Sequence, residues 1–171
     1  GSISGGDFAA AIAAGNPVIA KANSSHPGTT RLFAQEALAA VQDLDLPTGM
    51  VQLIYRTHHD VGERLVSHPL VGATGYTGSR SAGLVLKNAA DRAGKPIYLE
   101  LSSINPVVIL PGALQEQWED IAEEFVSSCL LGTGQFCTNP GVVILQKGAG
   151  TETFIQSLIQ RFGDAPVGTL L

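Results

Sequence analysis

The sequence has little of the chemistry on which several classes of protein depend. It contains only two cysteines, Cys129 and Cys137, which are too few for a disulfide framework and favour a reduced, cytoplasmic setting. No apolar run approaches the length of a membrane-spanning helix, and no signal-peptide pattern opens the chain. We therefore expect a cytoplasmic protein that does not act on a membrane.

Basic residues are also scarce. Lysine and arginine together number 10 against 15 aspartates and glutamates, for a formal net charge of −5, which argues against nucleic acid as a partner. The histidines are scattered, with no cysteine or carboxylate at ligand spacing beside them, so we predict no metal site. Hydrophobic residues make up 44% of the 171 residues, enough to bury a sizeable core.

Short apolar runs alternate with amphipathic segments across Gly/Pro turns, which predicts an α/β fold. We expect a Rossmann-like parallel sheet with helices on both faces, followed by the start of an α/β catalytic domain. A boundary near Ser102-Ser103 gives a partial dinucleotide-binding domain, 1–102, and a partial catalytic domain, 103–171. The predicted strands are 17–22, 51–55, 70–73, 96–101, 106–110 and 142–146, and the predicted helices are 8–14, 27–44, 60–67, 80–93, 114–131 and 151–162.

Asp60 is expected to cap the helix that it begins.

Three helices offer candidate core residues. The inward-facing residues are expected to be Leu32, Phe33, Leu38, Ala40, Val41, Val61, Leu65, Val66, Trp118, Ile121, Ala122, Phe125 and Leu130.

The segment 72–79 has glycines at positions 72, 75 and 78, after a predicted strand and before a predicted helix. In that context a glycine loop brings backbone amides and a helix N-terminus to a pyrophosphate, although an ordinary βα turn would read the same. The segment also resembles the loop of extended short-chain dehydrogenases. That alternative ranks second, because no tyrosine has a lysine four residues on.

Two charged residues lie at predicted strand ends, where ligands of open α/β sheets bind. Lys21 could meet ribose hydroxyls or a phosphate, or be an ordinary surface lysine. Glu100 ends an apolar run, and partial burial there would make it a general base, whereas a solvent-facing glutamate would have no such role.

Cys137 lies in a glycine-rich turn, where it is either a small turn residue or a nucleophile reached by a small substrate. Attack on an aldehyde gives a thiohemiacetal, and oxidation by a nicotinamide then leaves a thioester for water to hydrolyse. That chemistry needs a thiol, a base and a dinucleotide, and the chain has a candidate for each.

Four motifs in order resemble those of the NAD(P)-dependent aldehyde dehydrogenases, over essentially the whole chain. They are the strand 17–22 with Lys21, Tyr76-Thr77-Gly78-Ser79 followed by Gly83, Glu100-Leu101, and the segment 134–141 around Cys137. The resemblance implies Cys137 as nucleophile and Glu100 as general base. It implies cofactor contacts at Lys21, Ser24, Gly62, Gly78, Ser79, Gly83 and Leu101.

Finer features resemble 2,5-dioxovalerate (α-ketoglutarate semialdehyde) dehydrogenases and NADP-linked fatty aldehyde dehydrogenases. These features are the segments 100–107, 110–114 and 135–141. Many NAD-preferring members carry a glutamate three residues after the lysine, where this chain has Ser24. We therefore expect NADP or NAD as cofactor, with NADP accepted.

The resemblance also implies an aldehyde substrate and a homo-oligomeric full-length protein. The family's oxyanion-hole asparagine would precede residue 1, and its Glu-x-Phe-Gly-Pro segment would follow residue 171. We expect these 171 residues alone to be weakly active or inactive. Two alternatives stay open: a non-catalytic dinucleotide-binding fragment, and a relative that passes the thioester to CoA.

Overall fold

Helices and strands alternate along the chain in a computed structural model, which describes residues 2–170. This range contains six helices: α1 (Gly6–Ala13), α2 (Pro27–Asp43), α3 (His59–Ser67), α4 (Arg80–Arg92), α5 (Pro111–Leu130) and α6 (Thr151–Asp164). It also contains six strands: β1 (Val18–Lys21), β2 (Val51–Ile54), β3 (Thr74–Thr77), β4 (Ile97–Glu100), β5 (Pro106–Ile109) and β6 (Val142–Leu145).

All strand pairings are parallel. β1 pairs with β2, β3 with β4 and β5 with β6, and each pair is joined by one helix, α2, α4 or α5. A parallel pair requires such a crossover because its strands run in the same direction. The predicted α/β class is confirmed, although within residues 2–170 the strands form three two-stranded sheets rather than one continuous sheet.

The third strand lies four residues later than predicted. The segment 70–73 is not a strand; Leu70 is 90% exposed, and the Val71 N–H donates to the His68 carbonyl to form a turn. The Lys95 ammonium donates to the Val71 carbonyl and holds that turn. β3 instead begins at Thr74. The two threonines and the tyrosine of this strand have a higher strand propensity than the glycine and alanine that precede it.

Residues up to Glu100 and residues from Leu101 onward form two compact units. In the first, the predicted inward face of α2 is wrong for most of its members. Only Val41 is buried, together with the unpredicted Thr30, whereas Leu32 and Phe33 are 60% and 50% exposed. Apolar spacing marks a helix face, but it does not say what covers that face. The exposed predicted residues of this unit are Leu32, Phe33, Leu38, Ala40 and Val61.

α3 begins at His59, one residue before the predicted cap Asp60. Its N-cap is His58, without a side-chain hydrogen bond, and Asp60 lies inside the first turn. The Asp60 carboxylate there complements the positive end of the helix dipole instead of capping it.

The second unit has a defined apolar core. Phe154 and Leu158 of α6 pack with Ile109 and with buried residues of α5. Trp118, Ile121 and Phe125 pack half-buried against this cluster, and Leu130 is exposed, contrary to the prediction. α5 therefore buries a face centred on Leu114, Ala122 and Val126.

Between residues 2 and 170, no helix combines the length and apolarity needed to cross a membrane. The same range holds no group of three or more His, Cys, Asp or Glu side chains arranged to bind a metal ion.

Candidate active site

The turn from β3 into α4 comprises Gly78, Ser79 and the first turn of α4. We call it the dinucleotide turn, after the cofactor contacts predicted for Gly78 and Ser79. Ser79 is the N-cap, and its Oγ accepts a hydrogen bond from the Ala82 N–H at 3.4 Å. The remaining first-turn amides point out of the helix end, and Arg80 adds a positive charge there. A helix N-terminus with a nearby cation suits a phosphate group.

Gly78 lies against the side chain of Tyr76. A Cβ at this position would lie 2.5 Å from the Tyr76 hydroxyl oxygen and 2.9 Å from the tyrosine ring. The Gly78 N–H donates to the Glu100 carbonyl at 3.0 Å. The dinucleotide turn is therefore tied through its main chain to the end of β4, which brings Gly78, Ser79 and Glu100 together.

The predicted three-glycine loop is wrong in its first two members. Gly75 lies inside β3, opposite Tyr98 of β4, and Gly72 precedes the strand. A Cβ on Gly75 would contact the Asp7 carboxylate of α1 at 3.1 Å. Only Gly78 lies at the helix N-terminus, and Gly83 is buried one turn into α4, where its N–H donates to the Ser79 carbonyl at 3.0 Å.

Glu100 is exposed on β4, on the same face as the exposed Tyr98. The partial burial that the apolar run suggested is therefore not observed within residues 2–170. Its main-chain carbonyl accepts from the Gly78 N–H, and its side chain is exposed to solvent.

The other predicted cofactor contacts lie at separate places. Lys21 ends β1 opposite Ile54, and its ammonium donates to the Ala22 carbonyl at 3.1 Å. Ser24 is exposed in the bend that follows. Gly62 lies within α3, where a Cβ would contact Leu86 of α4 at 3.8 Å. Leu101 is half-buried directly after β4.

Residues 131–141 form the cysteine turn, between the end of α5 and the start of β6. Gly132, Thr133 and Gly134 are consecutive residues with left-handed φ values of 61°, 59° and 72°. Glycine adopts this conformation without cost, whereas threonine, with its branched Cβ, is strained there. This run turns the chain sharply and leaves Cys137 exposed.

The sequence reasoning gave no role to the side chains that hold this turn. Asn105 Nδ2 donates to the Cys137 carbonyl at 2.8 Å and to the Asn139 carbonyl at 2.9 Å. Ser103 Oγ donates to Asn105 Oδ1 at 3.1 Å and lies 3.3 Å from the Cys137 carbonyl oxygen. Asn139 Nδ2 in turn donates to the Cys129 carbonyl at 2.6 Å.

The two thiols lie in different environments. Cys137 is exposed, and its own N–H and that of Thr138 donate no hydrogen bond to any group in residues 2–170. Cys129 is half-buried on α5, and burial raises the pKa of its thiol. An exposed thiol can attack a carbonyl, and open amide donors beside it can stabilise the resulting oxyanion. A thiol with a raised pKa holds less thiolate at neutral pH and is the weaker nucleophile of the two.

Comparison with known proteins identifies one family. The sequence model described as the aldehyde dehydrogenase family matches residues 2–171. An α-ketoglutaric semialdehyde dehydrogenase from Azospirillum brasilense is 44% identical over 99% of this chain and 33% of its own length. One from Acinetobacter baylyi is 41% identical over 92% of this chain and 30% of its own length.

Among solved structures, glyceraldehyde-3-phosphate dehydrogenase GapN from Methanocaldococcus jannaschii, complexed with NADP, superposes with a TM-score of 0.84. It is 24% identical and is matched over 94% of this chain and 34% of its own. At that identity the likeness speaks for the fold alone. The chain spans about a third of the length of the curated relatives that it matches.

Proposed function

We propose, since the chain belongs to the aldehyde dehydrogenase family, that the full-length protein oxidises an aldehyde to a carboxylic acid with NAD(P)+ as oxidant. The observation that carries the proposal is the exposed Cys137 thiol, in a turn whose main chain is held by side chains of the same unit. A fixed turn with open amide donors is what a covalent nucleophile needs.

Cys137 performs the first step. Its sulfur bonds to the aldehyde carbon, and the thiol proton passes to a base, for which Glu100 is the candidate. The carbonyl oxygen becomes an oxyanion, and the Cys137 and Thr138 amides are available to donate to it. A nucleotide held at Gly78, Ser79 and the other proposed cofactor contacts would supply the acceptor for the hydride that this adduct loses. Oxidation leaves a thioester on Cys137. Glu100, after releasing the thiol proton to solvent, takes a proton from the water that attacks this thioester; the C–S bond breaks, the acid leaves, and the sulfur regains a proton from Glu100.

The dinucleotide turn is the proposed phosphate site. Ser79 caps α4, Gly78 keeps the helix end clear of a side chain, and Arg80 adds charge. Lys21, Ser24, Gly62, Gly83 and Leu101 stay proposed cofactor contacts. Because Ser24 is a neutral hydroxyl rather than a carboxylate, nothing at this position repels a 2′-phosphate, and we expect NADP+ to bind at least as tightly as NAD+.

The proposed substrate is a semialdehyde such as 2,5-dioxopentanoate. This rests on the two α-ketoglutaric semialdehyde dehydrogenases, at 44% and 41% identity. It also rests on the residues 100–107, which carry Ser102-Ser103 in place of the more common Gly-Gly.

Replacement of Cys137 by serine in the full-length protein tests the proposal. Reduction of NADP+ with 2,5-dioxopentanoate should fall by a factor of about 1,000 or more, because a hydroxyl is a far weaker nucleophile than a thiol at neutral pH. Cys129→Ser is the matched control and should keep turnover within about threefold. Undiminished turnover in Cys137→Ser would refute the mechanism.

A titration of the wild-type protein with both nucleotides separates the cofactor statement from the mechanism. Binding of NAD+ without measurable binding of NADP+ would contradict the role given to Ser24 and leave that of Cys137 intact.

A further inference from the structure

The cysteine turn is held by the carboxamides of Asn105 and Asn139, which donate to main-chain carbonyls, and by Ser103, which donates to Asn105. We call these three residues the carbonyl clamp. Asn105 is its centre, because one carboxamide group bonds to two carbonyls of the turn, at 2.8 and 2.9 Å. Asn139 fastens the other side of the turn to Cys129, near the end of α5. Ile104 adds a main-chain bond, its carbonyl accepting from the Gly141 N–H at 2.8 Å.

The chemistry of Asn105 leaves one orientation for its carboxamide. Both acceptors are carbonyl oxygens, so the NH2 group must face them, and both of its hydrogens are used. The remaining Oδ1 accepts from the Ser103 hydroxyl. Asn105 has a left-handed φ of 48°, a conformation that asparagine tolerates better than most residues.

These bonds fix the peptide that follows the thiol. A trans peptide is planar, so its N–H points away from its C=O. With the Cys137 carbonyl held by Asn105, the Thr138 N–H is directed to the opposite side, where it donates to nothing in residues 2–170. One side chain thus sets the direction of an amide beside the reactive sulfur.

We propose that Asn105, oriented by Ser103, is a positioning residue for the Cys137 nucleophile. The inference rests on the proposed function, because it assigns Asn105 a role only if Cys137 attacks the substrate. The buried apolar cluster of this unit comprises other residues, so the carboxamide does not support the core directly. Its loss should loosen the turn and spare the fold.

The test uses two variants of the full-length protein. Asn105→Gly tolerates the left-handed φ and removes the carboxamide, whereas Asn105→Asp keeps the shape and turns two donors into acceptors. We expect kcat with 2,5-dioxopentanoate to fall by about 10-fold in Asn105→Gly and by about 100-fold in Asn105→Asp, because misplacing a nucleophile by about 1 Å has effects of this size. The KM for NADP+ should stay within about twofold.

Thiol alkylation supplies a readout that needs no turnover. Iodoacetamide, followed by mass spectrometry of the Cys137 peptide, should modify Asn105→Gly within about threefold of the wild-type rate, because the thiol is already exposed. Cys129 should stay slow in the same samples, since its half-buried position depends on the fold. Retained alkylation with reduced kcat is the signature of positioning.

Three results would overturn the inference. They are a wild-type kcat in Asn105→Gly, a rise in Cys129 alkylation parallel to the loss of kcat, and an equal loss in Asn16→Asp. Asn16 is the matched control, an exposed asparagine whose carboxamide donates to the Ala11 carbonyl at 3.4 Å, outside the cysteine turn. If Asn105→Asp does not fold, Asn105→Gly and the milder Ser103→Ala still test the inference. Ser103→Ala should lower kcat about threefold, which corresponds to about 0.6 kcal/mol of activation free energy.

Failure of this inference differs from failure of the proposed function. A normal kcat in the Asn105 variants, together with an inactive Cys137→Ser, would refute only the positioning role of Asn105. Full turnover in Cys137→Ser removes the proposed function itself and, with it, the role of Asn105.

Discussion

The dinucleotide turn and the cysteine turn are both glycine-containing connections at a helix end, yet they are held in different ways. The dinucleotide turn uses short-range and main-chain bonds: the Ser79 cap and the Gly78 N–H to Glu100. None of residues 78–83, all of which the structure describes, has a positive φ. The cysteine turn has three consecutive left-handed residues and is held from Asn105, more than 30 residues earlier in the chain.

The difference fits the role proposed for each turn. A phosphate is bound by main-chain amides and a helix dipole, so an intact helix start suffices. A nucleophile must be aimed, and an exposed turn without regular structure has few bonds of its own with which to do this. Carboxamide side chains supply those bonds by occupying carbonyls that no secondary structure uses.

The largest effect that would break this comparison concerns Glu100. Its main-chain carbonyl is bonded to the dinucleotide turn, and its carboxylate is the proposed general base. Glu100→Gln removes the charge and leaves the bond from Gly78 to the Glu100 carbonyl intact. We expect kcat to fall by about 100-fold or more, the usual range for a lost general base. Stopped-flow measurements give kcat, and titration with NADP+ gives the affinity for the cofactor.

NADP+ affinity should stay within about twofold in Glu100→Gln, since the amide occupies the same space. Glu116→Gln, which changes an exposed glutamate of α5, is the control for the loss of one charge. A kcat for Glu100→Gln within about threefold of the wild type would leave Glu100 with a structural role at β4 only.

The sequence predicted where the dinucleotide turn lies, but not how the chain around it is arranged. Gly78, Ser79 and the start of α4 lie where the pattern placed them, because a serine followed by a helical segment is a local signal. The glycine periodicity was misleading, since Gly75 is part of a strand. Propensity alone could not show that Lys95 would hold residues 69–71 as a turn and delay the strand.

The cysteine turn shows where a single sequence stops being informative. The exposed thiol and its glycines are visible at once, but the bonds from Asn105 span 32 and 34 residues. An asparagine before a proline predicts a turn, not the carbonyls that it will bind. Likewise, the spacing of Leu32 and Phe33 predicts the helix α2, whereas their exposure depends on what packs against it.

An intermediate effect sharpens the comparison at Ser79. Ser79→Asp keeps a side chain that caps helices well, but adds a negative charge where a phosphate is proposed. We expect NADP+ affinity to fall by about tenfold, or roughly 1.4 kcal/mol, with little change in thermal midpoint. Ser79→Ala should show the converse: a lost cap of about 1 kcal/mol and a smaller change in affinity. Isothermal titration and thermal scans distinguish the two, and equal affinity losses in both variants would argue that no phosphate lies at this helix end.

The smallest effect concerns the strain in the cysteine turn, which the dinucleotide turn lacks. Thr133 adopts a φ of 59°, and its side chain packs so close to Gly168 that a Cβ there would lie 2.8 Å from the threonine Oγ1. Thr133→Gly relieves left-handed strain of about 1–2 kcal/mol. Glycine also raises the conformational entropy of the unfolded chain, which offsets part of this stabilisation. We expect a net gain of up to about 1 kcal/mol, seen as a rise of one or two degrees in thermal midpoint. Thr133→Ala loses the same contact with Gly168 and keeps a Cβ at positive φ, so it should not be stabilised. If both variants lower the midpoint equally, the threonine side chain contributes more through packing than it costs in strain.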